Sequence, residues 1–349
     1  MTIRMVDLSA LHAALPDEMD DLASVLRSGR FVGGPWVERA EAHAADLCSA
    51  QAAVAVSNGT EALILALQAA GVGPGDVVIA PALSFVATAG AIAATGAEPR
   101  LVDVGPNALM TQRTVQEALD DRVKAIVPVH LFGNPCDVGE QPVAVVADAA
   151  QAAGSEWTVP CALSALSTYP TKVWSGAGEG GFVVGSSEAV ERARRLANHG
   201  FDGDGVSHRV GVHPGRNARM SALIAASLCH TARTLKARVA KRRRLADLYD
   251  AQLPLDVRPI ARHPGSNVAV YAVCVPHRTR LRDALSRRGI ETAVYYPRTL
   301  HAHPAYADCA PRPTPMAQTL SEQLLALPVH SGLTDGDVAT VCSALKAAL

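Results

Sequence analysis

Ala-Ala-Val-Ala-Val-Ser-Asn-Gly-Thr-Glu-Ala-Leu-Ile-Leu-Ala-Leu-Gln-Ala-Ala, residues 52–70, is the stretch that decides the fold. Ala52–Ser57 reads as a buried strand, and Thr60–Ala70 as a helix closed by Gly71. The same alternation continues downstream. Val77–Pro81 reads as a strand, Ala87–Thr95 as a helix, Arg100–Val104 as a strand and Val115–Leu119 as a helix. Val123–Phe132 then reads as a long strand, and Val143–Asp148 as the next. Repeated βα units imply an α/β fold of three layers, with a mostly parallel central sheet between helices. Ligands of such sheets gather at the carboxyl ends of the strands.

Upstream, 18–28 and 35–49 have the pattern of amphipathic helices separated by Gly33-Gly34-Pro35. Residues 222–250 form a long helix rich in Ala and Leu. Beyond 255, a strand at Val268–Val275 mixes with helices at Arg280–Arg288, Ser321–Leu325 and Asp335–Ala348. The expected division is a large domain over 1–235 and a smaller α+β domain over 236–349. The basic run Lys236–Arg244 reads as a solvated helix face, with contact to a diphosphate as the other reading.

The chain has 349 residues, 49% hydrophobic and 19% charged, which excludes disorder. A formal net charge of −1 gives no general attraction to nucleic acid or to anionic membrane. Seven cysteines without CxxC spacing read as reduced thiols, not a disulfide frame or a zinc site. The amino terminus is too polar for a signal sequence, and no apolar run is long enough to span a membrane. A cytoplasmic enzyme is the expectation.

Chemistry concentrates at Lys172, in Leu-Ser-Thr-Tyr-Pro-Thr-Lys (166–172), followed by Gly-Ala-Gly-Glu-Gly-Gly (176–181). Asp148 ends an apolar run and Gln151 follows three residues later. An amine nucleophile, a carboxylate at a strand end and a glycine-rich turn are what a pyridoxal phosphate site needs. The lysine condenses with the aldehyde, and the acid keeps the pyridine nitrogen protonated. Gly59 and Thr60 open a helix, where unpaired N–H groups suit a phosphate, although Asn58 and Thr60 also serve plain helix capping. Phe85 offers a ring to lie on a cofactor ring, or a core side chain. His301-Ala-His303 lacks a carboxylate partner, so no metal is expected. No GxGxxG follows the first strand, which argues against a nicotinamide site.

In order, these segments resemble the DegT/StrS family of pyridoxal phosphate-dependent sugar aminotransferases, of the aspartate-aminotransferase-like fold (fold type I). The resemblance rests on Ser-Gly-Arg-Phe-Val-Gly-Gly-Pro (28–35), Asn-Gly-Thr-Glu-Ala-Leu (58–63) and Pro-Ala-Leu-Ser-Phe-Val-Ala-Thr (81–88). It continues through Pro-Val-His-Leu-Phe-Gly (128–133), Asp-Ala-Ala-Gln-Ala (148–152), Gly-Glu-Gly-Gly (178–181), Gly-Arg-Asn-Ala-Arg-Met (215–220) and Tyr-Tyr-Pro-Arg-Thr-Leu-His (295–301).

The resemblance implies that Lys172 carries the cofactor, Asp148 pairs with the pyridine nitrogen, Gln151 touches the ring oxygen and Phe85 stacks on the ring. Gly59, Thr60 and Ser167 would hold the phosphate. Asn217 would reach that phosphate from a neighbouring subunit, which implies a homodimer with shared sites. Tyr295, Tyr296 and His301 would line the sugar side. The implied reaction moves an amino group from L-glutamate to C3 or C4 of a nucleotide-linked keto-deoxysugar. A cyclitol-ketone aminotransferase and a sugar dehydratase of the same fold are the alternatives. The dehydratases replace the lysine, commonly by histidine, so Lys172 argues against that one.

Three departures stand out. Only 133–142 separate the Pro-Val-His-Leu-Phe-Gly strand from the next, so a bare loop or single turn is expected, with one sheet face thinly covered. Ala147 stands where many members carry an acid. The segment 154–165 is short and lacks the usual glycines.

Overall fold

The computed structural model describes residues 2–13, 17–156, 161–202, 210–211 and 213–349. Seven strands form the main sheet: β1 (Ala52–Val56), β2 (Val77–Pro81), β3 (Glu98–Val102), β4 (Val123–Ile126), β5 (Ala144–Asp148), β6 (Leu163–Ser167) and β7 (Gly181–Gly185). Their order is β1-β7-β6-β5-β4-β2-β3. Every pair from β6 across to β3 is parallel, and β7 runs antiparallel to both its neighbours. The α/β expectation therefore holds.

Strands β2, β6 and the last four residues of β1 are buried along their length, as strands covered on both faces must be. Helix Gly59–Ala69 packs its apolar side on one face, in a core that includes Leu63, Leu67, Ile79 and Ile126. On the other face, helices Glu18–Ser28, Pro35–Leu47 and the start of Ala222–Gln252 bury Val25, Val37, Phe182 and Leu228. A three-stranded antiparallel sheet (Arg258–Pro259, Tyr271–Cys274, Leu324–Leu327) has its own cluster, in which Tyr249 and Tyr271 stack at 4.6 Å.

Several expectations need correction. The strand expected over 123–132 ends at Ile126. Pro128 has no N–H for a ladder, and Phe132 adopts a left-handed φ of 61° inside a single 3-10 turn, Leu131–Gly133. The loop that follows is not thin cover: Cys136 and Val138 are fully buried, and Ala269 N donates to Phe132 O. The helix expected at 321–325 runs over Pro315–Gln323 instead. Leu324–Leu327 is a buried strand, because a four-residue apolar run has no period to separate the two readings. The short segment 154–165 lies partly outside the described residues.

The run Lys236–Arg244 is not simply a solvated face. Arg238 donates to the carbonyls of Val173 and Thr231, and Arg243 to those of Ser266 and Gly265. Arg242 donates through Nη1 to the carbonyls of Val268, Ala269 and Val329. The solvated reading fits at exposed Lys236 and at Arg244, which pairs with Asp335 on the surface. Long basic side chains can bury their stems while the guanidinium finds carbonyl acceptors, and the alternation of charge alone cannot reveal it.

Candidate active site

A cavity of about 450 Å³ opens at the carboxyl ends of β1, β2, β5 and β6. Asn58, Gly59 and Thr60 follow β1, Phe85 follows β2, Asp148 ends β5 and Ser167 ends β6, and all line it. Gln151, Lys172, Tyr295 and Tyr296 also lie on its wall. Nine of the proposed side chains or turns thus come together from segments spread over residues 59–296.

At the helix start, Asn58 caps Gly59–Ala69 by accepting from Glu61 N at 2.9 Å. The first N–H groups beyond the cap point outward with the positive end of the helix dipole. A Cβ on Gly59 would sit 2.5 Å from Ser167 Cβ, so only glycine lets β6 approach this turn. The result is a cradle of backbone N–H groups and two hydroxyls, Thr60 and Ser167, of the kind that takes a phosphate.

Asp148 lies 9% exposed. Thr88 Oγ1 donates to its Oδ2 at 2.8 Å, and Ala150 N to its Oδ1 at 3.2 Å. Burial raises its pKa above the ordinary carboxyl value, against the pull of these donors and of the Lys172 charge. No cation within ion-pair reach of it occurs among the described residues. A protonated pyridine nitrogen would be the missing partner.

Lys172 follows a tight turn in which its own N–H donates to Tyr169 O at 2.8 Å. Two residues on, Trp174 is fully buried, stacks on Phe182 at 5.1 Å and donates to Leu228 O. That anchor leaves the lysine in the cavity. Burial pushes its amine below 10.5, and Asp148 opposes the shift only in part. A lowered pKa makes the amine a usable nucleophile and base.

Gln151 is doubly held: its Oε1 accepts from Phe132 N at 2.6 Å and its Nε2 donates to Tyr296 OH at 3.2 Å. Phe85, 54% exposed, lies 5.8 Å from the Tyr296 ring. The residues present fit pyridoxal phosphate: a phosphate cradle, an amine, a buried acid and an exposed aromatic face share one cavity. Residues 14–346 match the model of the DegT/DnrJ/EryC1/StrS aminotransferase family.

The chain belongs to that family. The UDP-2-acetamido-2-deoxy-3-oxo-D-glucuronate aminotransferase of Pseudomonas aeruginosa is 32% identical over 98% of this chain and 99% of its own. The dTDP-3-amino-3,4,6-trideoxy-alpha-D-glucose transaminase of Streptomyces venezuelae is 35% identical over 99% of this chain and 95% of its own. Among solved structures, S. venezuelae DesV in complex with a ketimine intermediate superposes with a TM-score of 0.93 at 32% identity, covering 99% of this chain and 98% of that one. NtdA of Bacillus subtilis with bound PMP gives 0.91 at 26% identity, covering 99% of this chain and 85% of that one.

Two predicted residues stand apart from the cavity. His301 does not line it; its Nε2 lies 3.3 Å from Thr299 Oγ1 and 3.4 Å from Thr314 Oγ1. His301 sits within the 3-10 turn Leu300–Ala302. Asn217 is exposed, and its Oδ1 accepts from Arg219. Sequence reasoning missed Thr88 and Arg242. Thr88 had a usable signal, as a lone hydroxyl one helical turn after Phe85 in an otherwise apolar, Ala-rich helix. Among the described residues no metal-ligating cluster occurs, and no helix is long and apolar enough to cross a membrane.

Proposed function

We propose that this aminotransferase uses pyridoxal phosphate to move an amino group from L-glutamate to the ketone, at C3 or C4, of a nucleotide-linked keto-deoxysugar. The observation that carries the reading is the shared cavity of Lys172 and Asp148, set against relatives whose names specify UDP- or dTDP-linked sugars.

The cofactor, when bound, supplies an aldehyde that captures amines and a ring that accepts electrons from the substrate carbon. Gly59, Thr60 and Ser167 would hold its phosphate, Phe85 its ring face and Gln151 its ring oxygen. Asp148 would hold a proton at the ring nitrogen. Lys172 would retain the cofactor through its amine. The Lys172 amine, when free, would take the proton from the donor α-carbon and, in the second half-reaction, would give a proton to the acceptor carbon. Tyr295 and Tyr296 would border the acceptor.

The reading includes a homodimer in which Asn217 completes the partner's phosphate site. Exposed apolar side chains around the cavity mouth and the start of the long helix, Phe31, Val32, Phe85, Val86 and Tyr169, support a covering partner. It also places a domain division near residue 235, bridged by helix Ala222–Gln252, with the separate apolar cluster around Tyr249 in support. Seven free cysteines support a cytoplasmic protein.

The test is direct. Loaded protein should lose its visible absorbance on addition of L-glutamate. The aminated protein should then convert UDP- or dTDP-linked 3- or 4-keto-sugars to amine products detected by mass. Amination of a cyclitol ketone in preference to every keto-sugar nucleotide would overturn the substrate class.

A further inference from the structure

We propose that Arg242 is the seat for the α-carboxylate of the amino donor, an inference that rests on the aminotransferase reading above. Arg242 comes from the middle of the long helix and lines the same cavity as Lys172, on the wall formed with Met5, Val6, Ala269 and Val329. Its Nη1 is fixed by the carbonyls of Val268, Ala269 and Val329, the shortest at 2.7 Å. These bonds use one nitrogen. Nε and Nη2 have no protein acceptor among the described residues, and neither is a sealed, unsatisfied atom.

No carboxylate of the chain lies within ion-pair distance of Arg242 among the described residues. Burial, with a smaller contribution from neighbouring Arg238, lowers the Arg242 pKa to about 10. A guanidinium so placed lacks an anion that the fold does not provide. Of the other charges on the wall, Lys172 would be engaged by the cofactor and Asp148 by the ring nitrogen, and Glu179 is itself an anion that cannot seat a carboxylate. A guanidinium fixed at one nitrogen on a cavity wall, with two nitrogens left unbonded by the described residues, can receive a carboxylate as a fork. Every α-amino acid donor carries that carboxylate, and a neutral keto-sugar ring does not.

Arg242→Gln and Arg242→Lys in the loaded, full-length protein test this, with the two half-reactions measured apart. The expected result for Arg242→Gln is a rise of about ten- to hundredfold in the L-glutamate concentration that half-saturates the donor half-reaction. The acceptor half-reaction, and the rate at which the carboxylate-free amine hydroxylamine discharges the visible absorbance, should stay within about twofold. Glutarate should raise the melting temperature of the wild-type protein and not that of Arg242→Gln. Arg242→Lys retains the charge and, should the Gln variant fail to fold, carries the same comparison with a smaller rise.

Equal slowing with L-glutamate and with hydroxylamine, or unchanged half-saturation by L-glutamate, overturns the proposal and leaves Arg242 a clamp for three carbonyls. If wild-type protein ignores L-glutamate but reacts with another amino acid, the donor assignment fails alone. The series is then run with that amino acid and judged by the same outcomes.

Discussion

Thr88 Oγ1 donates to Asp148 Oδ2 at 2.8 Å, joining the first turn of helix Val86–Ala94 to the carboxyl end of β5. Both residues are buried, and Ser84 Oγ lies 2.8 Å from the same hydroxyl. The bond fixes the plane of the carboxylate and favours its charged form, while burial works against that charge. The helix that presents Phe85 to the cavity thus also orients the acid beneath it.

Thr88→Val keeps the shape and removes the donor. The Asp148 pKa should climb further, and less of the anion is then present to hold a proton at the ring nitrogen. A fall of about tenfold or more in the single-turnover donor half-reaction is expected, with Thr88→Ser restoring most of it. An undiminished rate in the Val variant would show the hydroxyl to be a packing group.

Asp148→Asn separates stability from activity. Because burial raises the Asp148 pKa above 3.8, the folded chain without cofactor binds more protons than the unfolded chain between 3.8 and the raised value. Its stability therefore drops as pH climbs through that window, and the deficit persists above it. The Asn variant carries no such deficit. Stripped of cofactor, it should melt above the wild type near pH 7, with the gap narrowing as pH falls towards 3.8. Its transamination should be about a thousandfold slower. Calorimetry of both stripped proteins over a pH series reads the first part, and a melting point below the wild type at pH 7 contradicts it.

Lys172 supplies the pH dependence of the chemistry. Burial holds its amine below 10.5, so the free base that removes the α-proton is populated at lower pH than for a solvated lysine. The single-turnover rate should rise with pH to a midpoint below 10.5 and then level. Lys172→Ala should lose about 10⁴-fold in that rate, partly recovered by added alkylamine. A midpoint at or above 10.5 would remove the case for a desolvated base.

Much of this was legible in residues 52–148, where strand and helix alternate and β1, β2 and β5 each lead into a marked residue. Asp148 was legible because a carboxylate closing an apolar run is costly without a partner. Arg242 was not. Its neighbours Arg243 and Arg244 make the run look uniformly solvated, and only the tertiary placement of Val268, Ala269 and Val329 shows where its guanidinium goes. The position of His301 was not legible for a related reason: nearness to Tyr296 in sequence does not show that it sits in the 3-10 turn Leu300–Ala302, off the cavity wall. Strand β7 escaped because it is antiparallel and opens on the glycines of the lysine turn, which read as loop.

Asn217 provides the test of a shared site. It is exposed and outside its own cavity, although its segment runs beside the phosphate turn: Ser57 N donates to Ala218 O, and Val56 forms a bridge with Arg219. If Asn217 serves the partner's cofactor, Lys172→Ala and Asn217→Ala each spoil both sites of their own homodimers. Mixing equal amounts under conditions that exchange subunits changes the count. About half the dimers become mixed, and each mixed dimer has one site with both native residues, so roughly a quarter of wild-type activity should return. Were Asn217 to act within its own chain, no mixed site would be whole, and the mixture would remain as inactive as the separate variants.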